Sequence, residues 1–220
     1  YTLENIFIGP GSKELIFQLV YLLEGPLIVP APSWVSYGPQ AKIRSKTFIT
    51  ITTDIKNGYR LQAEELDKTC SGLESPQKIL ILNNPSNPTG SVHTPDELRA
   101  LAEVCRKHGV IVISDEIYAL TNFGEIPFEG IARYYPKGTI TTSGVSKAFS
   151  AGGWRLGFAM IPDELSEIKR PLSAFVSETF SCVSAPIQYA VLPGFKNYES
   201  VRKHVELCSA IHGAAGKFLQ

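Results

Sequence analysis

The chain has 220 residues, enough for one large domain with a sizeable core. Its 21 Lys and Arg balance 21 Asp and Glu, so no basic excess points to nucleic acid or an anionic membrane surface. No apolar run approaches the roughly 20 residues that span a bilayer, and residues 1–5 lack the basic and apolar regions of a secretory signal. The cysteines Cys70, Cys105, Cys182 and Cys208 are far apart, and His93, His108, His204 and His212 show no ligand spacing. Reduced thiols, no metal site and a cytoplasmic location are the expectation.

Apolar runs alternate with helix-period segments along the chain. Residues 5–9 read as a short buried strand ending in glycine. Residues 12–23 then place Leu15, Ile16, Leu19, Val20 and Leu23 at helical spacing. Residues 27–29, 47–51 and 79–82 follow as strands. A helix over 95–107 has Thr94 as N-cap, Pro95 at its first position and Gly109 beyond its end. Residues 110–113 are too apolar to be half exposed and belong in a parallel sheet covered on both faces. Residues 139–142 and 156–161 complete seven strands, and the short path between these two argues that the last runs antiparallel. From Pro162 onward the pattern is helical, with Pro171, Pro186 and Pro193 as breaks. The expected fold is α/β: a three-layer α/β/α domain around a mainly parallel seven-stranded sheet.

Ligands of such sheets sit at the carboxyl ends of the strands. Ser12 follows the first strand, Asn87 the fourth, Asp115 the fifth, and the stretch from Ser143 to Lys147 the sixth. Lys147 ends a β-branched run in a Ser/Gly turn with Arg155 downstream, which suggests a reactive amine beside an anion clamp. Alone, it reads as well as a solvated lysine. Asp115 emerges from a buried strand end, where a helix N-cap is the rival reading, and the adjacent Glu116 shows that acidity is not diagnostic there. Asn87 lies in Asn84-Pro85-Ser86-Asn87-Pro88-Thr89-Gly90, a loop stiffened by its prolines. Gly11-Ser12-Lys13 opens a helix whose free N–H groups and dipole favour an anion. Trp34 and Tyr118 are either aromatic contacts for a flat ligand or ordinary core residues.

In chain order, Pro32-Ser33-Trp34, the Asn84–Gly90 string, Ser114-Asp115-Glu116-Ile117-Tyr118 and Thr141-Thr142-Ser143-Gly144-Val145-Ser146-Lys147 with Arg155 resemble the active-site motifs of the class I/II aminotransferases. These are pyridoxal-phosphate (PLP) enzymes of fold type I, and the likeness, aspartate-aminotransferase-like in kind, covers roughly residues 9–160. It implies PLP as cofactor and transfer of an amino group from an L-amino acid to a 2-oxo acid through a Schiff base on Lys147. Lys147, Asp115 and Tyr118 would be the catalytic groups. Asp115 would pair with the pyridine nitrogen, Asn87 and Tyr118 would reach the phenolic oxygen, and Trp34 would stack on the ring. Gly11, Ser12, Lys13, Ser143, Ser146 and Arg155 would surround the phosphate. Glycine at position 144 departs from a common Ser-x-Ser-Lys pattern and leaves both Ser143 and Ser146 as candidates.

Lys13 stands where an aspartate-using subgroup carries a lysine near the substrate's distal carboxylate, which favours an aspartate-like donor. The resemblance also implies a large PLP-binding domain over 1–193, the start of a smaller domain over 194–220, and a homodimer for the intact protein. No residue matches the family's arginine for the α-carboxylate. A PLP-dependent lyase or synthase of the same fold, and a PLP-binding chain without turnover, are the alternatives. A nucleotide binder using Gly9-Pro10-Gly11-Ser12 is disfavoured by the lack of GxGxxG and GxxxxGK[ST].

Overall fold

The structure, a computed structural model, describes residues 2–219. Strand β1 (Ile6–Gly9) turns at Pro10-Gly11 into helix α1 (Ser12–Leu22), and β2 (Leu27–Ala31), α2 (Tyr37–Ile43) and β3 (Phe48–Thr52) follow. Next come α3 (Ala63–Ser71), β4 (Lys78–Asn83), α4 (Pro95–His108) and β5 (Val110–Asp115). After a long connection, β6 (Thr139–Gly144) runs straight into the one-turn helix α5 (Val145–Ala148), and β7 (Gly157–Met160) returns. Helices α6 (Lys169–Thr179), α7 (Ala185–Lys196) and α8 (Tyr198–Leu219) complete the described chain.

The seven strands form one sheet in the order β1-β7-β6-β5-β4-β2-β3. Only β7 is antiparallel to its neighbours, as the short path from β6 requires. Alternation along each strand divides the core into two layers. Ile79, Ile81, Ile111 and Ile113 pack with Leu15, Ile16 and Leu19 of α1 and Leu172 of α6. Leu80, Leu82, Val110 and Val112 face the other way, onto Leu66 and Cys70 of α3 and Leu98, Leu101 and Cys105 of α4. Each fully buried Leu or Ile contributes roughly 1.5–3 kcal/mol, so α1 is firmly seated and its first turn is a fixed platform. Helix α4 starts with the expected cap: Thr94 Oγ1 accepts from the Glu97 N–H, while Glu97 Oε2 accepts from the Thr94 N–H at 2.8 Å.

Several expectations need correction. Strand β1 is not buried, because it is an edge strand: Ile6 and Ile8 are 40% and 43% exposed. Strand β6 extends to Gly144, which places Ser143 within the strand rather than after it. A Cβ on Gly144 would stand 2.8 Å from the Leu156 carbonyl oxygen, so the crossing of β6 and β7 leaves no room for a serine there. Pro171 and Pro186 lie in the first turns of α6 and α7, where no helical bond is lost, and Pro193 lies inside α7 rather than ending it. Helices α2 and α3 had no strong periodic signal: α2 opens on Tyr37-Gly38-Pro39, and α3 buries only Leu66 and Cys70.

Candidate active site

At the carboxyl ends of β2, β4, β5 and β6 lies a cavity of about 290 Å³. Ser12, Lys13, Trp34, Asn87, Asp115, Tyr118, Ser146, Lys147 and Arg155 all line it. Residues separated by as much as two-thirds of the chain thus meet because the parallel strands end together. A wider cleft of about 980 Å³ adjoins it and shares Asn87, Tyr118, Ser146 and Lys147.

One end of the cavity is cationic and built largely from backbone. Gly11 has φ +96°, and a Cβ there would collide with the Arg155 guanidinium. Glycine is therefore needed twice over, for the left-handed backbone and for the space. Gly157 brings the β7 backbone against Gly11 and Ser12 in the same manner. Arg155 Nη1 donates to the Gly152 carbonyl at 2.6 Å and Nη2 to the Pro10 carbonyl at 3.1 Å, which ties the guanidinium to the start of α1. The free N–H groups of that first turn and the fixed charge face one anion-sized space.

The other end is anionic, buried and built from side chains. Asp115 is 3% exposed; its Oδ2 accepts from Tyr37 Oη at 2.7 Å and its Oδ1 from the Ile117 N–H at 3.4 Å. Burial pushes the carboxyl up to about 6, against the lowering pull of these two donors. Burial and the facing carboxylate hold the Tyr37 phenol well above its ordinary value. Asn83 braces the loop behind: its Nδ2 donates to the Asp115 carbonyl at 2.9 Å, and its Oδ1 accepts from the Asn87 N–H at 2.7 Å. Asn87 Nδ2 in turn donates to Tyr118 Oη at 3.2 Å.

On the wall of the same cavity, Lys147 Nζ stands 5.4 Å from the Tyr118 ring centroid and Lys13 Nζ 5.2 Å from that of Trp34. Trp34 meets Tyr37 edge-on, with centroids 5.3 Å apart. Gly11 forms the turn before the cavity. Ser143 does not line it; its hydroxyl donates to the Glu116 carbonyl at 3.2 Å. Sequence reasoning settled on Asn87 and reached neither Tyr37 nor Asn83, both of which line the cavity. Tyr37 follows Trp34 at helical i,i+3 spacing, a signal that was available. Asn83 is the last residue of β4, directly paired with Asp115 across the sheet.

A cavity at the carboxyl ends of a parallel sheet that gathers a fixed cation, a buried acid and a lysine is suited to an anionic ligand. Comparison with known proteins narrows it. The family profile "Aminotransferase class I and II" matches residues 1–213, and the chain belongs to that family. An aspartate aminotransferase of Geobacillus stearothermophilus is 33% identical over 201 residues, 89% of this chain and 50% of that protein. Among solved structures, Thermus thermophilus aspartate aminotransferase with maleate superposes with a TM-score of 0.86 at 29% identity, covering 96% of this chain and 54% of that one. The aromatic aminotransferase of Pyrococcus horikoshii gives 0.87 at 29%, covering 98% and 57%. The chain thus spans about half the length of the relatives it matches.

Proposed function

We propose that the chain is the cofactor-holding part of a PLP-dependent transaminase moving an amino group from an aspartate-like L-amino acid to a 2-oxo acid. The observation that carries this reading is the set of groups gathered in one cavity. Arg155 beside the α1 N-terminus, a buried Asp115 and Lys147 all line it. PLP carries a matching set, a phosphate for the cation, a basic ring nitrogen for the acid and an aldehyde for the amine. The Gly11–Arg155 contact is the observation of fit: the space where a side chain would sit is given to a guanidinium fork.

In this reading the N–H groups of Gly11, Ser12 and Lys13, the Ser12 and Ser146 hydroxyls and Arg155 hold the phosphate. Ser143 is committed to the Glu116 carbonyl and drops out of that set. Trp34 supplies a flat apolar face, and Asn87 and Tyr118 together offer hydrogen bonds to the phenolic oxygen. Asp115 would pair with the ring nitrogen, whose positive charge would offset the effect of burial and keep the carboxyl charged. Bound there, the cofactor supplies the electron sink for the substrate's Cα electrons. Lys147 Nζ is the amine that holds the cofactor and, when free, the base that carries the proton from the substrate's Cα. Lys13 lines the same cavity beside Trp34, where its charge favours a second carboxylate on the substrate. The aspartate aminotransferases among the relatives, one solved with maleate, support that choice.

The division into a cofactor domain over 1–193 and the start of a smaller domain over 194–220 belongs to this proposal. Its support is that α8 buries only Val201 among the described residues. The homodimer and the cytoplasmic location of the intact protein rest on the family alone; among the described residues no helix is long and apolar enough to cross a membrane. A second reading is PLP binding without turnover, which the same experiment separates from the first.

The test is a visible spectrum of the chain with PLP, borohydride fixation and peptide mapping, followed by assay of amino transfer from aspartate to 2-oxoglutarate. Fixation at Lys147 with transfer establishes the first reading, and fixation without transfer the second. Fixation at another lysine, or none, overturns both. Lys147→Ala is expected to abolish fixation altogether.

A further inference from the structure

We propose that Asn83 is a positioning residue: its side-chain amide holds the Asn87 amide against Tyr118, where the two face the cofactor's phenolic oxygen. The effect on the cofactor rests on the PLP reading above; the tether itself does not. Asn83 ends β4 directly opposite Asp115, the last residue of β5. There the sheet ladder stops and the chain leaves through residues 84–90. Pro85 and Pro88 bring no N–H to that loop, and the Ser86 and Gly90 N–H groups donate to the Ser91 and Ser86 carbonyls. The Asn87 N–H goes instead to Asn83 Oδ1 at 2.7 Å, while Asn83 Nδ2 donates to the Asp115 carbonyl at 2.9 Å.

One planar amide thus joins the loop to the end of β5. Its two partners are a backbone N–H and a backbone carbonyl, so only one orientation of the amide satisfies both. With both ends bonded, a rigid group sets the distance from the Asp115 main chain to the Asn87 main chain. The next link is Asn87 Nδ2, which donates to Tyr118 Oη at 3.2 Å. Tyr118 follows Asp115 in the same segment, so Asp115, Asn83, Asn87 and Tyr118 close a ring of bonds and chain on the wall of the 290 Å³ cavity. Within that ring Tyr118 Oη accepts from Asn87, which leaves the phenolic hydrogen and the second Nδ2 hydrogen for a ligand oxygen. Asn83 commits its own oxygen and nitrogen to backbone, so it acts through Asn87.

Hydrogen exchange and the visible spectrum test this. In the cofactor-free chain, the Asn87 N–H should exchange roughly tenfold faster or more in Asn83→Leu, with the β5 amides unchanged. Asn83→Asp keeps an acceptor and should leave the Asn87 N–H protected. An unchanged Asn87 rate, β5 amides that speed up equally, or lost protection in Asn83→Asp overturns the proposal. In the PLP-loaded chain, donors on the phenolic oxygen favour its proton-free form. Asn83→Leu should therefore raise the pH midpoint of the visible band by about half to one unit. In an Asn87→Ala background the same substitution should add nothing, because the group it positions is gone. A midpoint that stays put, or shifts that add, makes Asn83 a structural tether and overturns its positioning role. A wild-type chain that takes up no PLP sinks the functional reading and the effect on the cofactor with it, while the exchange rates still decide the tether.

Discussion

Asp115 and Glu116 are neighbours in sequence and face opposite layers of the molecule. Asp115 points into the cavity, where Tyr37 and the Ile117 N–H bond its carboxyl. Glu116 lies on the other side, where Ser114 Oγ donates to its Oε1 at 2.8 Å; a Cβ on Gly130 would stand 2.6 Å from that same oxygen. Burial pushes both acids up, to about 6 and about 7. A strongly raised carboxyl is therefore not by itself a mark of a site. What separates the two is company: Asp115 shares its cavity with Lys147 and Arg155, whereas no cation among the described residues pairs with Glu116.

The sharpest way to break this contrast is to neutralise each acid in turn. Asp115→Asn is expected to leave borohydride fixation at Lys147 in place. In the proposed reading it should lower amino transfer on the order of 10²–10⁴-fold, because an amide in place of Asp115 would no longer stabilise a cationic ring nitrogen. Glu116→Gln should change transfer by less than about tenfold, since it touches neither cavity wall nor reacting atoms. Equal losses from both substitutions, measured as kcat/KM at one pH, would remove the functional distinction.

The next effect is on stability, and its sign follows from the raised values. Glu116 holds its proton more tightly folded, at about 7, than at its ordinary value of 4.5. The folded state binds more protons between those values, so stability falls as pH rises through that window and levels off above it. Glu116→Gln keeps an acceptor for Ser114 and removes the buried charge. It should stabilise the chain above pH 7 by about 1–3 kcal/mol and by nothing below about pH 4.5. Urea titrations at the two ends of the window check this. Asp115→Asn should show the same sign between 3.8 and about 6 without cofactor, and lose it with PLP bound.

Much of this was legible in the sequence. The seven strands, the antiparallel return of β7 and the capping of α4 follow from period, turn residues and path length. The convergence of Ser12, Asn87, Asp115 and Lys147 follows from one topological rule, that parallel strands present their carboxyl ends to a common edge. What was not legible depends on contacts between segments far apart in sequence. Ser143 looked free until β6 proved longer and the Glu116 carbonyl took its hydroxyl. The spacing of Trp34 and Tyr37 was legible, but the bond from Tyr37 to Asp115 was not, because the two lie 78 residues apart.

The smallest effect separates the two acids most cleanly. Tyr37 and Ser114 each donate one hydrogen bond to a raised carboxyl, and each lowers it. Tyr37→Phe and Ser114→Ala should therefore each move the partner acid further up and cost about 1 kcal/mol at neutral pH. With PLP bound the pair should part company. In the proposed reading Asp115 would be held ionised by the cofactor's ring nitrogen, so the Tyr37→Phe displacement should vanish from its titration. Glu116, outside the cavity, feels PLP only through the weaker Coulombic push of Asp115, so its titration should move far less than that of Asp115, and Ser114→Ala should displace it upward in both states. Carboxyl ¹³C NMR of the two variants reads this directly. If PLP shifts Glu116 as much as Asp115, the sheet end behaves as one coupled acid pair and the division into a working face and a supporting face does not hold.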